Sequence, residues 1–278
     1  MPRIFESLRN TAIKKAKNYP EDLFILRGLW KLDIKFKPNP TERLFNYTTV
    51  LAQTVGQGCC YCPHGDIPIL DDGLIGKDAR YISVSDYSVN IAILDAIYSI
   101  FDKKVDKTYT LHGNSIEKSI KRTNIIVNEV INQLRDCARS EKLSVLNIGA
   151  LGNVIQVLKM KNIDVYATDL DETIIGKTLN GVKVQHGSMN EELLEQCDIA
   201  LVTGMTLPTK TIDTILDVAK KNQTKIIVFA ETGSNFAEEY CRYGMDVVIS
   251  EPFPFYIFQG TTEINIYYAR NKQLEEGG

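Results

Sequence analysis

From Ser144 to Ser250 the chain repeats one pattern, in which a short run rich in Val and Ile is followed by a segment mostly long enough for a helix. The runs are LSVLNIG (143–149), IDVYATD (163–169), VKVQHG (182–187), DIALVTG (198–204), TKIIVFAE (224–231) and MDVVIS (245–250). Nearly continuous apolar strands are buried on both faces, and parallel neighbours need crossover connections. The pattern therefore predicts an α/β protein whose C-terminal half is a Rossmann-like, doubly wound and mostly parallel sheet. A seventh run, TEINIYYA (262–269), alternates with period two and predicts an edge or antiparallel strand.

The first half reads differently. Helix candidates lie at about 4–18, 42–54, 84–101 and 114–139, the last with an apolar stripe through Ile116, Ile120, Ile126, Val127, Val130, Ile131 and Leu134. Residues 56–82 show little periodicity. A polar break at CARSEKLS places a boundary near residue 140, between a helix-rich α+β domain (1–140) and the Rossmann-like domain (141–278).

Composition narrows the function classes. Lys and Arg (32) nearly balance Asp and Glu (35), so charge predicts neither a nucleic-acid nor an acidic-lipid partner. Lys14, Lys15 and Lys17 read as the solvated face of the first helix. No apolar run approaches the roughly 20 residues of a membrane span. MPRIFESLRN lacks a signal-peptide core, so the expectation is a soluble, cytoplasmic protein. Six cysteines are too few for a disulfide scaffold, and Cys137, Cys197 and Cys241 read as core fillers on helices.

Ligands of an open parallel sheet bind at the carboxyl ends of its strands. After the first run stands GALGN, in which Gly149 turns the chain and Ala150, Gly152 and Asn153 open a helix. Leu151 replaces the middle glycine of G-x-G-x-x-G, which weakens a pyrophosphate reading. Asp169, twenty residues beyond Gly149 and followed by Leu170, can accept both hydroxyls of an adenosine ribose or simply cap the next segment. Ser188 and Met189 of HGSM suit an adenine wall. Thr203, Gly204, Met205 and Thr206 sit at the mouth of the fourth strand, while Thr209 and Thr211 beside Pro208 also read as helix-start signals. Glu231 ends the buried run IIVFA, where a carboxylate needs a donor or cation; it reads as a base or acceptor, or as a charge complementing the following helix.

The succession NIGALGN, YATDLDE, CDIALVTGMTLPTKTIDTIL, FAETGSNF and YGMDVVISEPF resembles, over about 143–260, the Rossmann-like half of a group of archaeal and bacterial two-domain proteins labelled as heavy-metal chelation proteins. Over its whole length the chain also resembles the HcgC family of methanogens. That resemblance implies a homodimeric S-adenosylmethionine-dependent methyltransferase, acting on carbon 3 of a pyridinol precursor of the iron-guanylylpyridinol cofactor of iron-only hydrogenase. A methyl donor needs a ribose acid and an adenine slot but no pyrophosphate cradle, so Leu151 is compatible with it. A hydroxypyridine is electron-rich beside its hydroxyl, and Glu231 or Thr203 would hold that hydroxyl, favour its anionic form or accept the ring proton afterwards. The competing enzyme reading, an NAD-dependent oxidoreductase, shares Asp169 and the fold but lacks an evident Tyr-x-x-x-Lys or His partner.

GQGCCYCPHGDIP (56–68) carries three of the six cysteines. Cys59, Cys62 and His64 suggest a metal-binding protein, but a structural zinc site takes four ligands and the chain has no second such pair; His112 and His186 are distant. The favoured reading is therefore no metal, and a non-catalytic metal-binding or chelation protein using these three residues stays as an alternative. Gly56, Gly58, Pro63, Gly65 and Pro68 predict a shaped loop, neither helix nor strand, that lines the cleft. Cys59, Tyr61, His64 and Asp66, with Thr206, are then the candidate contacts to a small aromatic substrate.

Overall fold

The computed structural model describes residues 2–37, 44–135 and 143–270. Cys137 and the expected boundary at residue 140 lie outside them. The chain opens with α1 (Arg3–Ala16) and continues through β1 (Gly28–Phe36), β2 (Phe45–Gln53), β3 (Gln57–Tyr61), α2 (Tyr87–Tyr98), β4 (Lys107–Leu111) and α3 (Ser115–Arg135). There follow β5 (Ser144–Ile148), α4 (Gly152–Met160), β6 (Asp164–Asp169), β7 (Thr178–Leu179), β8 (Val182–His186), α5 (Asn190–Gln196) and β9 (Ile199–Thr203). The last elements are α6 (Ile212–Asn222), β10 (Lys225–Ala230), α7 (Ala237–Arg242), β11 (Val247–Ser250) and β12 (Thr262–Tyr268).

All six apolar runs form strands, and they lie in the order β11-β10-β9-β5-β6-β8, each parallel to its neighbour. This is the doubly wound order whose direction of winding reverses between β5 and β9, where such sheets take ligands. Alternate residues feed two cores. Leu146, Val202 and Val228 join the layer of α1, α2 and α6, whereas Val145, Leu201 and Ile227 pack against α3 and α4. No helix among the described residues is long and apolar enough to cross a membrane.

Three expectations are corrected, and the strand expected at 262–269 is found. The segment 42–54 contains a strand, because Phe45, Tyr47, Thr48, Thr49 and Val50 form a β-branched and aromatic run that pairs on both sides, with β1 and with β3. GQGCCYCPHGDIP is not wholly a loop: Gln57–Tyr61 is a strand, and Gly58 is needed because a Cβ there would strike the backbone of Ala92 and Ala96 on α2. The run at 262–269 is antiparallel but not an edge, since β12 lies between β11 and β4. The division near 140 does not separate the sheet from what precedes it, because β4 and α3 already belong to the large sheet and its cover.

The three-stranded antiparallel sheet β1-β2-β3 sits over the carboxyl ends of the large sheet, held by a few buried polar contacts. Asp95 of α2 is fully buried, and its carboxylate accepts the Cys59 amide at 2.9 Å and the Asn235 amide at 2.8 Å. Beside it the Tyr61 amide donates to Thr232 Oγ1 at 2.9 Å, and the Gly233 amide to the Cys59 carbonyl at 3.2 Å. Burial pushes the Asp95 carboxyl up to about 7, against the pull of its two amide donors. Its folded value lies above its unfolded one, so its contribution to stability is greatest at acid pH and is lost as pH rises from about 4 to about 7. Asp95→Asn is expected to leave one buried amide without an acceptor, costing about 1–3 kcal/mol. Urea unfolding across this pH range should show that cost together with a flatter pH dependence than the wild type; a parallel curve would count against the assignment.

Candidate active site

A cavity of about 1230 Å³ opens between the three-stranded sheet and the carboxyl ends of β5, β6, β9 and β10. At one end lies the turn after β5. Gly149 adopts φ +84°, and a Cβ there would run into the Thr203 side chain across the switch point. The fully buried Asn147 accepts the Leu151 amide at 2.8 Å. Asp169 clamps the turn from the next strand, taking the Ala150 amide on Oδ2 (2.9 Å) and the Leu170 and Asp171 amides on Oδ1 (2.7 and 2.9 Å). Two carboxylate oxygens offer about four acceptor positions, so one remains for a ligand. The α4 helix starts at Gly152, and its first-turn amides, which have no intrahelical acceptor, lie along the same wall.

Gly149, Ala150, Gly152, Asn153, Asp169, Leu170, Thr203, Gly204 and Thr206 all line the cavity. The Thr206 hydroxyl is committed to the Thr203 carbonyl at 3.0 Å, so it shapes the turn. Ser188 and Met189 are corrected. Ser188 is exposed and bonded to His186, its Oγ 2.9 Å from Nδ1, and Met189 packs into the core; Gly187 and Asn190 line the wall instead. Thr209 donates to the Met205 carbonyl at 2.8 Å, and Thr211 precedes α6 without a side-chain cap bond.

The other end is charged and aromatic. Arg122 reaches in from α3, with Nη1 2.7 Å from Glu231 Oε1 and 3.3 Å from Glu251 Oε2. Its guanidinium lies 3.7 Å from the centre of the Tyr256 ring and 5.1 Å from that of Phe229. Glu251 is fully buried and also accepts the Tyr256 amide at 2.7 Å and the Thr262 hydroxyl at 3.3 Å. Glu231 thus has the cation that its burial requires. Desolvation nevertheless pushes its carboxyl up to about 8; the neighbouring Glu251 adds to this, while Arg122 and Tyr61 oppose it. Arg122 and Glu251 were not among the expected residues. Each had a readable signal, Arg122 as a charge four residues before Ile126 on the inward stripe, Glu251 as a carboxylate directly after MDVVIS.

Tyr61, Cys62, His64 and Asp66 border the cavity, His64 and Asp66 at its exposed mouth. Cys59 does not, which corrects its expected substrate contact: it is buried against Leu51, Tyr61 and Phe255, while Cys60 and Cys62 join the opposite core. Residues three apart on extended backbone point to opposite faces, so Cys59 and Cys62 do not form one metal-binding pair. Burial pushes the Cys59 and Cys60 thiols well up and Cys62 up to about 11, so all three stay protonated at neutral pH. Among the described residues no group of three or more His, Cys, Asp or Glu is placed to hold a metal ion.

Residues 132–250 match the model of the DUF364 family, described as "Putative heavy-metal chelation". Two crystal structures of DUF364-family proteins of unknown function share the fold over nearly their whole length. One, from Desulfitobacterium hafniense, is 13% identical, with 95% of this chain and 99% of that chain covered and a TM-score of 0.58. The other, from Pyrococcus horikoshii, is 15% identical, with 95% and 99% covered and a TM-score of 0.58. No curated protein matches the chain. Neither structure's name bears on the narrower HcgC resemblance.

The charge cluster makes a direct prediction. Glu251→Gln removes a neighbouring negative charge and is expected to lower the Glu231 midpoint below about 8, whereas Arg122→Met removes the opposing cation and should raise it. Carboxyl-carbon NMR, with Glu231→Gln to assign the resonance, reads both shifts.

Proposed function

We propose that the chain is an S-adenosylmethionine-dependent methyltransferase that acts on a small hydroxylated aromatic of the pyridinol type, as the HcgC resemblance implies. The observation that carries the reading is the cavity itself, which joins a ribose-type clamp at Gly149 and Asp169 to a charged, aromatic-walled end at Arg122, Glu231 and Tyr256. The clamp fits an adenosyl group. Asp169 keeps an acceptor position, Leu170 is apolar, the first turn of α4 offers amides, and Leu151 stands where a dinucleotide site needs glycine. Bound there, S-adenosylmethionine supplies an electrophilic methyl group on a sulfonium.

The chain's own residues then do three things. Tyr61, Phe229 and Tyr256 wall the far end for a planar ring and keep water from it. Arg122 stays charged and fixes the Glu231 carboxyl. Glu231, in its ionised form, takes the proton of the acceptor's hydroxyl, which makes the ring a stronger carbon nucleophile. The ring carbon takes the methyl as its bond to the sulfonium sulfur breaks and S-adenosylhomocysteine leaves. The proton on that carbon then moves to the ring oxygen, which restores the aromatic hydroxypyridine, and Glu231 gives up its proton to solvent. Because the base must be ionised, the rate should rise with pH and level off above about 8.

Thermal shift with S-adenosylmethionine and with NAD tests the ligand class, and only the former is expected to stabilise the protein in proportion to dose. Glu231→Gln should keep that stabilisation but transfer methyl to a hydroxypyridine at least about 100-fold more slowly. Stabilisation by NAD alone would favour an oxidoreductase. Stoichiometric metal in protein purified without added metals would favour the chelation described for the family.

A further inference from the structure

We propose that β1 pairs edge to edge with β1 of a second copy of this chain, antiparallel and centred on Leu32. The strand Gly28–Phe36 is nine residues long, against about 5–6 for a typical strand. Every one of its residues pairs with β2, and among the described residues no strand covers its other side. A long uncovered edge presents a row of unpaired amides and carbonyls, ready to template another strand.

Side chains along β1 alternate between faces. Trp30, Leu32, Ile34 and Phe36 share one face, and Lys31, Asp33 and Lys35 share the other. Antiparallel pairing about a two-fold axis in such a register places one residue opposite its own copy, and only Leu32, the midpoint, lets all nine residues pair. Lys31 then faces Asp33 of the second copy, twice over, and Trp30 faces Ile34 twice. Leu29 lies against the aliphatic stem of Lys35, and Gly28 opposite Phe36. Opposite charges directly across a strand pair stabilise it, and like charges oppose it.

The neighbouring registers are poorer. Centring on Asp33 sets Asp33 against itself and Lys31 against Lys35, while centring on Lys31 sets that lysine against itself. Centres on Trp30 or Ile34 pair only five residues of the strand. The charges are available for the contact: Lys31 and Asp33 are 37% and 55% exposed, 3.4 Å apart within the strand, and Trp30 on the other face is 42% exposed. Ile34 and Phe36 also line the cavity, so the pairing braces the wall of its aromatic end.

Sedimentation velocity over a concentration series tests the pairing without any ligand, so its outcome is independent of the methyltransferase reading. The wild type is expected to associate to twice 31.3 kDa. Asp33→Lys, which sets lysine against Lys31, should weaken association at least about 10-fold. The charge swap Lys31→Asp with Asp33→Lys should restore it. Unchanged melting temperatures would show that both variants are folded. A wild type that stays monomeric, an Asp33→Lys variant that associates as tightly as the wild type, or a folded charge swap that fails to restore association would overturn the proposal.

Discussion

The Asp95 carboxylate is the contact on which the site's enclosure depends. It is buried in α2, yet its two oxygens serve the Cys59 amide of the small sheet and the Asn235 amide beyond β10. One side chain thereby fixes a helix, a strand and a loop of the large sheet to one another. Taking a carboxylate out of water costs several kcal/mol, and amide donors offset that cost only while both stay in place. The cavity exists because this docking holds the small sheet over the carboxyl ends of the large one. Without it, Tyr61 and the exposed mouth at His64 would have no fixed position opposite Glu231.

The second constraint is charge economy at the far end of the cavity. Glu231 and Glu251 share one arginine, so the cluster carries one negative charge too many for a site shielded from water. Glu251 already accepts two further hydrogen bonds from the chain, whereas Glu231 lies on the cavity wall, where desolvation pushes its carboxyl up. A proton taken up there relieves the excess. A group that is poised to gain or lose a proton near neutrality, against an aromatic wall, suits acid–base work on a hydroxylated ring.

Much of this was legible in the sequence where one local pattern carried the information. The six apolar runs fixed the parallel sheet, and the glycine turn and the acid at the next strand end marked Gly149 and Asp169. Glu231 stood out as a carboxylate ending a buried run. What was not legible required knowing which elements meet. Arg122 comes from a helix assigned to the other side of a supposed boundary, and nothing local to it names Glu231 as its partner. In β2 the β-branched run outweighed a helical spacing, and in β3 the glycines served close packing against α2 as well as turns. Ser188 missed the cavity because its hydroxyl turns back to His186, and Cys59 missed it because, although it shares a face of β3 with Tyr61, it is buried in a cluster with Leu51, Tyr61 and Phe255.

The central claim is that a single cavity holds an adenosyl donor at one end and an aromatic acceptor at the other. A crystal structure of the protein soaked with S-adenosylhomocysteine tests it most directly. The account predicts one ribose hydroxyl on Asp169, the adenine between Leu170 and the Gly187–Asn190 turn, and the thioether sulfur directed toward Glu231 and Tyr256. An adenosyl group bound elsewhere, or a cavity that takes none but fills with a metal ion, would contradict it.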